Sequence, residues 1–128
     1  MATHTVSKIL QQTDLRPLRD IGATYTGDTV DNVDWVVPEN GAGENSVEIA
    51  FTAVNFNSLF LVSTVECRVT LTGATAVNGV AVGYVDLNPG VGVHVTAITG
   101  DVTSIEVGDN NETDGPAGSI EGSLLRNT

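Results

Sequence analysis

The 128-residue chain has few of the residues that most enzymes, secreted proteins and nucleic-acid-binding proteins depend on. Cysteine occurs once, as Cys67, so no internal disulfide bond can form. Five basic residues face sixteen acids, a formal net charge of −11, which argues against a nucleic-acid partner or an anionic membrane partner. No run of 18 apolar residues exists, and the N-terminus has no apolar secretion segment, so we expect neither a membrane span nor Sec export.

The charges that are present are unevenly distributed along the chain. Residues 1–19 contain Lys8, Arg16 and Arg19 against Asp14, a balance of +2. Residues 20–128 contain fifteen acids against two arginines, a balance of −13. We therefore predict an N-terminal arm over residues 1–22 that orders against another surface, and an acidic body over residues 23–128. Within the arm, residues 6–15 are predicted to form a short helix, since Pro17 disfavours helical backbone beyond Arg16.

The body has the pattern of an all-β domain. Valine and threonine dominate it, and these β-branched residues fit a pleated, half-buried surface. Asn78-Gly79 matches a type I′ hairpin turn, and Asn88-Pro89-Gly90 is a second turn. Alternation predicts strands at 33–37 (ended by Pro38), 47–53, 59–71 (with a bend near Ser63), 80–87, 91–98, 102–107 and 119–125. The predicted fold is an antiparallel β-sandwich or jelly roll of about 7–8 strands with an extended N-terminal arm.

The sequence shows no catalytic, cofactor or metal site. His4 and His94 are the only histidines, and His94 falls on the polar face of a strand, which predicts an exposed or hydrogen-bonded residue. Cys67 falls on the apolar face of its strand and is predicted to be buried and inert. The loop 109–115 has oxygen ligands suited to calcium, but its spacing differs from an EF-hand, so a solvated loop is the preferred interpretation.

Two segments resemble a known group of proteins. Residues 102–109, Val-Thr-Ser-Ile-Glu-Val-Gly-Asp, and residues 51–57, Phe-Thr-Ala-Val-Asn-Phe-Asn, resemble phrases in small all-β structural proteins of tailed bacteriophage virions. This group includes capsid decoration (cement) proteins, head fibres and tail-associated proteins. The resemblance covers about a quarter of the chain, and the family carries no catalytic residues.

The resemblance implies a non-enzymatic virion structural protein, most specifically a decoration protein that binds across major capsid subunits and stabilises the shell. It would lie on the outer capsid surface of a particle assembled in the bacterial host cytoplasm. We expect a homotrimer or homodimer, because self-association would cover sheet edges. The arm residues expected to bind the capsid partner are Lys8, Ile9, Leu10, Leu15, Arg16, Leu18 and Arg19.

Two other functions fit the composition less closely. A tail- or head-fibre module that contacts a cell-surface glycan would need an aromatic platform, for which the candidates are Tyr25, Trp35 and Tyr84. Because Trp35 alternates in step with Val33 and Val37, we expect it in the core instead. A small glycoside hydrolase would need two carboxylates with separated pKa values in a cleft, and the six scattered aromatic residues give it little support.

Overall fold

A computed structural model describes residues 2–6, 9–10, 19–20, 23–27, 29–39, 46–108 and 116–127. All regular secondary structure in this part of the chain is β-strand. The strands, β1 to β12 in chain order, are Ala2–Val6, Ile9–Leu10, Arg19–Asp20, Ala23–Gly27, Thr29–Val37, Ser46–Val54, Phe56–Ser63, Cys67–Thr72, Tyr84–Leu87, Val93–Val95, Val102–Gly108 and Gly118–Arg126.

Eight strands form the two four-stranded sheets of a β-sandwich. One sheet has the order β10-β7-β12-β5 and the other β6-β11-β8-β9, with every neighbouring pair antiparallel. Buried side chains from both sheets form one core, including Leu59, Leu61, Leu71, Ile105 and Ile120. The predicted fold class is therefore confirmed. Cys67 is buried as expected, and Trp35 packs half-buried against the core.

The predicted long strand over residues 59–71 is wrong, because the chain crosses between sheets there. β7 ends at Ser63 and pairs with β10 and β12, whereas β8 begins at Cys67 and pairs with β11 and β9. The buried Ser63 stabilises the crossover by donating a hydrogen bond from Oγ to the Val65 carbonyl at 2.6 Å. The odd-numbered residues face the same core from both sheets, so their alternation continues through the break.

The two predicted turns have different outcomes. Val77 and Val80 exchange both backbone hydrogen bonds at 2.9 Å, and Asn78 and Gly79 have φ values of 52° and 76°, as a type I′ hairpin requires. The second turn, Asn88-Pro89-Gly90, has a different outcome. The strands on either side of it are shorter than predicted, namely β9 at Tyr84–Leu87 and β10 at Val93–Val95. These two strands lie in different sheets, so the turn at 88–90 connects the sheets and does not close a hairpin.

The predicted helix at residues 6–15 is wrong where the structure describes it, because Val6 ends β1 and Ile9–Leu10 forms β2. β1 pairs with β4, and β2 pairs with β3. In both ladders the partner numbers add up to 29, as in Val6 with Ala23 and Leu10 with Arg19. A constant register of this kind is that of one antiparallel hairpin, and we name β1–β4 the N-terminal ribbon. Pairing with residues 23–27 prevails over a helix that would be marginal alone.

The end of the ribbon formed by β1 and β4 lies on the outer face of the β10-β7-β12-β5 sheet. β1 and β4 contact β5, β7 and β12, whereas β2 and β3 contact chiefly each other. Leu125 belongs to the outer face of this sheet but is fully buried, because Gly27 of β4 packs directly over it. The ribbon thus forms a partial third layer over the sandwich.

Candidate functional site

A pocket of about 380 Å³ lies where the ribbon meets the outer face of the sheet. One wall is formed by residues 3–6 of β1. The other wall is formed by Ser58 and Phe60 of β7, His94 of β10 and Ser123 of β12. The pocket therefore joins residues that are far apart in the sequence.

Strand alternation and register explain why these side chains meet. Leu59 and Leu61 point into the core, so Ser58 and Phe60 point to the opposite, outer face of β7. Phe60 is paired with His94 on one side and with Ser123 on the other. These residues form one row across three strands, and Phe60 remains 43% exposed.

Four side chains form a hydrogen-bonded chain along the pocket floor. Ser58 Oγ lies 3.0 Å from His4 Nδ1 and 2.8 Å from His94 Nε2. His4 Nε2 lies 2.8 Å from Ser123 Oγ. Ser58 is fully buried between the two imidazole rings. The Tyr25 ring packs at a tilt of 55° against His94, with 5.0 Å between ring centroids. This chain ties β1 to three strands of the sheet.

Burial lowers the pKa of His4 below its ordinary value. The cause is loss of solvent around the ring, which disfavours the charged imidazolium. A neutral ring has one N–H donor and one acceptor nitrogen, and this matches its two serine neighbours in either tautomer. His4 therefore connects the two layers as a neutral hydrogen-bonding group at neutral pH.

The arrangement suits binding and structural connection better than nucleophilic catalysis. Both nitrogens of His4 are occupied by serine hydroxyls, and Ser58 has no exposed surface from which to attack a substrate. Among the described residues, no group of three or more His, Cys, Asp or Glu side chains is placed to hold a metal ion. The same part of the chain has no helix long and apolar enough to span a bilayer.

Three of the seven predicted partner-binding residues lie in described strands of the ribbon. Ile9 and Leu10 form β2, and Arg19 is in β3, paired with Leu10. Lys8, Leu15, Arg16 and Leu18 lie outside the described residues, as does the loop at 109–115, which was predicted to be solvated with calcium binding as the alternative. Partner binding by these residues remains a prediction.

The predicted aromatic platform is dispersed in the structure. Tyr25 packs on His94 beside the pocket, and Trp35 packs on the core. Tyr84 lies beneath the Arg68 guanidinium, with 3.8 Å from Cζ to the ring centroid. Phe60, an exposed aromatic residue, was not among the candidates for this platform. The link between both histidines and Ser58 was not predicted either, and its only sequence signal was the position of His94 on the polar face of its strand.

No protein-family model, curated protein or solved structure matched this chain. The fold and the pocket define an all-β antiparallel sandwich with a hairpin layer and a pocket between them. Any functional assignment therefore depends on the physical properties of these two features.

Proposed function

We propose that the chain is a non-enzymatic virion structural protein of the capsid decoration type, which binds major capsid subunits through its N-terminal ribbon. The observation that carries the proposal is the common register of the two ribbon ladders. It assigns Ile9, Leu10 and Arg19 to the part of one hairpin that contacts itself more than the sandwich. The described part of the predicted partner-binding segment thus lies in β2 and β3, which contact each other more than the sandwich.

Charge separation supports binding through this segment. Residues 1–19 have a balance of +2, and the remainder of the chain has a balance of −13. The basic segment is therefore suited to an acidic patch on a partner, while the acidic body opposes nonspecific contact with it. Ordering free chain costs roughly 1–2 kcal/mol per residue, and a preformed hairpin ladder reduces that cost on binding. Many copies on one closed shell would add further stabilisation.

The open sheet edges support self-association into a dimer or trimer. β5 is nine residues long and pairs within its sheet only with β12, among the described strands. Its outward residues Val30 and Val36 are 42% and 63% exposed. An edge strand of this length, with no second partner among the described strands of its sheet, invites strand pairing with a second copy. We place the assembled protein on the outer capsid surface.

Co-sedimentation of the full chain with stripped phage shells from its source tests the proposal. We expect saturable binding that is abolished by the triple variant Lys8→Glu, Arg16→Glu and Arg19→Glu. The matched control is Lys8→Arg, Arg16→Lys and Arg19→Lys, which keeps all three charges and should bind like the parent. Absence of binding by the parent, or full binding by the reversed variant, would contradict a ribbon-mediated decoration role.

The pocket favours glycan binding by a fibre module as a second candidate function. An exposed Phe60 ring beside serine and threonine hydroxyls combines an apolar platform with polar groups. On a glycan array, Phe60→Ala should then remove a signal that Val36→Ala retains, since Val36 is exposed on the same sheet but away from the pocket lining. A parent protein without any array signal would eliminate this candidate.

A further inference from the structure

Ser58 links the only two histidines of the chain, and through them it links the ribbon to the sheet. Its Oγ is within hydrogen-bonding distance of His4 Nδ1 on β1 and of His94 Nε2 on β10. His4 also reaches Ser123 on β12. Ser58 itself has no exposed surface, so water cannot readily replace a lost partner there. The state of this hydrogen-bonded chain therefore decides how firmly β1 is held.

The hydrogen bonds among these four side chains can all be satisfied in some protonation states of the two histidines but not in others. With both rings neutral, Ser58 donates to one ring and accepts from the other. With His4 alone protonated, its two N–H groups donate to Ser58 and Ser123, and Ser58 still donates to His94. With both rings protonated, Ser58 receives two N–H groups, and its own hydroxyl proton must find another acceptor at a buried position. Two positive charges then also flank one hydroxyl group.

We propose that His4, Ser58 and His94 form a pH-sensitive latch that holds β1 on the sheet near neutral pH and releases it in acid. The inference concerns the ribbon and the sandwich alone and does not rest on the proposed function. Release is confined to β1, because the C-terminal end of β4 is held on the sheet by contacts that do not involve the latch. Asn57 Nδ2 donates to the Thr26 carbonyl at 2.9 Å, and Gly27 packs over Leu125.

The direction of the pH dependence follows from His4. Burial lowers the pKa of His4 in the docked state, whereas the released ring would regain an ordinary value of about 6.5. The docked state therefore binds protons less readily than the released state. Its extra stability is fully present above about pH 6.5 and is lost as the pH falls through the lowered pKa of the docked ring.

Few other charged or titratable groups face the latch from the described strands. β4 contributes Tyr25, which packs on His94. The next row of the sheet's outer face has the exposed carboxylates Glu121 on β12 and Asp34 on β5. At the end of the sheet, Arg126 is occupied by its ion pair with Asp31. The two exposed carboxylates oppose release to a small extent, since solvent screens them from the buried rings.

Native-state amide hydrogen exchange of the full chain tests the latch at about pH 7.5 and about pH 5, after correction for intrinsic exchange rates. We expect protection of β1 and β4 amides to fall clearly in acid, because the docked state binds protons less readily than the released state. Amides in the core of β7 and β12 should stay constant and show that the sandwich remains folded. Ribbon protection that is unchanged between the two conditions would overturn the proposal.

Two variants separate a latch from general acid weakening. In His4→Gln, which keeps a polar side chain but does not titrate, ribbon protection should stay within about threefold of the parent near neutral pH and lose its acid response. In Ser58→Ala, ribbon protection should already be low near neutral pH and be insensitive to acid. A full acid response in Ser58→Ala would contradict the proposal even if His4→Gln failed to fold.

Discussion

At the scale of single residues, Gly122 shows how closely the strands of the sandwich approach. A Cβ atom at this position would overlap the backbone carbonyl oxygen of Phe60 on β7, a contact that no side-chain rotation can relieve. Gly122→Ala should therefore force β12 away from β7 and lower the free energy of unfolding by about 3 kcal/mol or more. Urea denaturation followed by Trp35 fluorescence measures the loss.

Gly90→Ala is the matched control for this substitution. Gly90 has a φ of 72°, so alanine there pays a conformational cost of about 1–2 kcal/mol. No atom lies within 4 Å of the added methyl group, so no steric term is added. Equal destabilisation by the two substitutions would show that backbone conformation, and not the close approach of β12 and β7, limits Gly122.

At the scale of secondary-structure elements, alternation predicted the strands but not their partners. β5 ends at Val37 before Pro38 as predicted, and the Asn78-Gly79 turn closes a hairpin as predicted. Alternation reports which side chains face a core, but both sheets face the same core. The crossover after Ser63 therefore left no signal in the pattern. A sequence resemblance to phage structural proteins gave the functional prediction, which stays untested.

The candidate site was missed because its contacts are long-range. His4 is separated by 54 residues from Ser58 and by 119 residues from Ser123. No local spacing specifies such a pairing, since it arises only when the ribbon packs on the sheet. The sequence also predicted no strand over residues 2–6, and it is the extended β1 that carries His4 onto the sheet.

Truncation tests whether the ribbon is an independent element. A chain that begins at Ala23 loses β1 to β3 but keeps both four-stranded sheets. We expect it to fold, with the free energy of unfolding lowered by about 1–3 kcal/mol because Ser58 loses its His4 partner. Circular dichroism and urea denaturation measure both quantities. The contrasting truncation removes β12, which pairs with both β5 and β7, and should abolish folding. Loss of folding in the first truncation would show that the ribbon is part of the sandwich core.

At the scale of the whole molecule, a net charge of −11 leaves unrelieved repulsion between carboxylates. The two ion pairs in the described structure, Arg68 with Asp86 and Arg126 with Asp31, are both partly exposed and contribute little. Added salt screens both the repulsion between carboxylates and the weak attraction within the two ion pairs, and the repulsion is the larger effect in this molecule. The free energy of unfolding should therefore rise as salt is added, in contrast to a protein stabilised mainly by surface ion pairs.

One cross-strand pair makes this repulsion local and testable. Glu121 on β12 lies directly opposite Asp34 on β5, and both are exposed. Like charges in this position destabilise a sheet, so Glu121→Lys should raise the free energy of unfolding by about 0.5–1 kcal/mol at low salt. Glu66→Lys makes the same change in net charge at an exposed residue outside any strand, between β7 and β8. A larger gain for Glu121→Lys that disappears in about 1 M salt would identify the direct pair as the source. Equal gains at both positions would instead assign the repulsion to the net charge of the whole molecule.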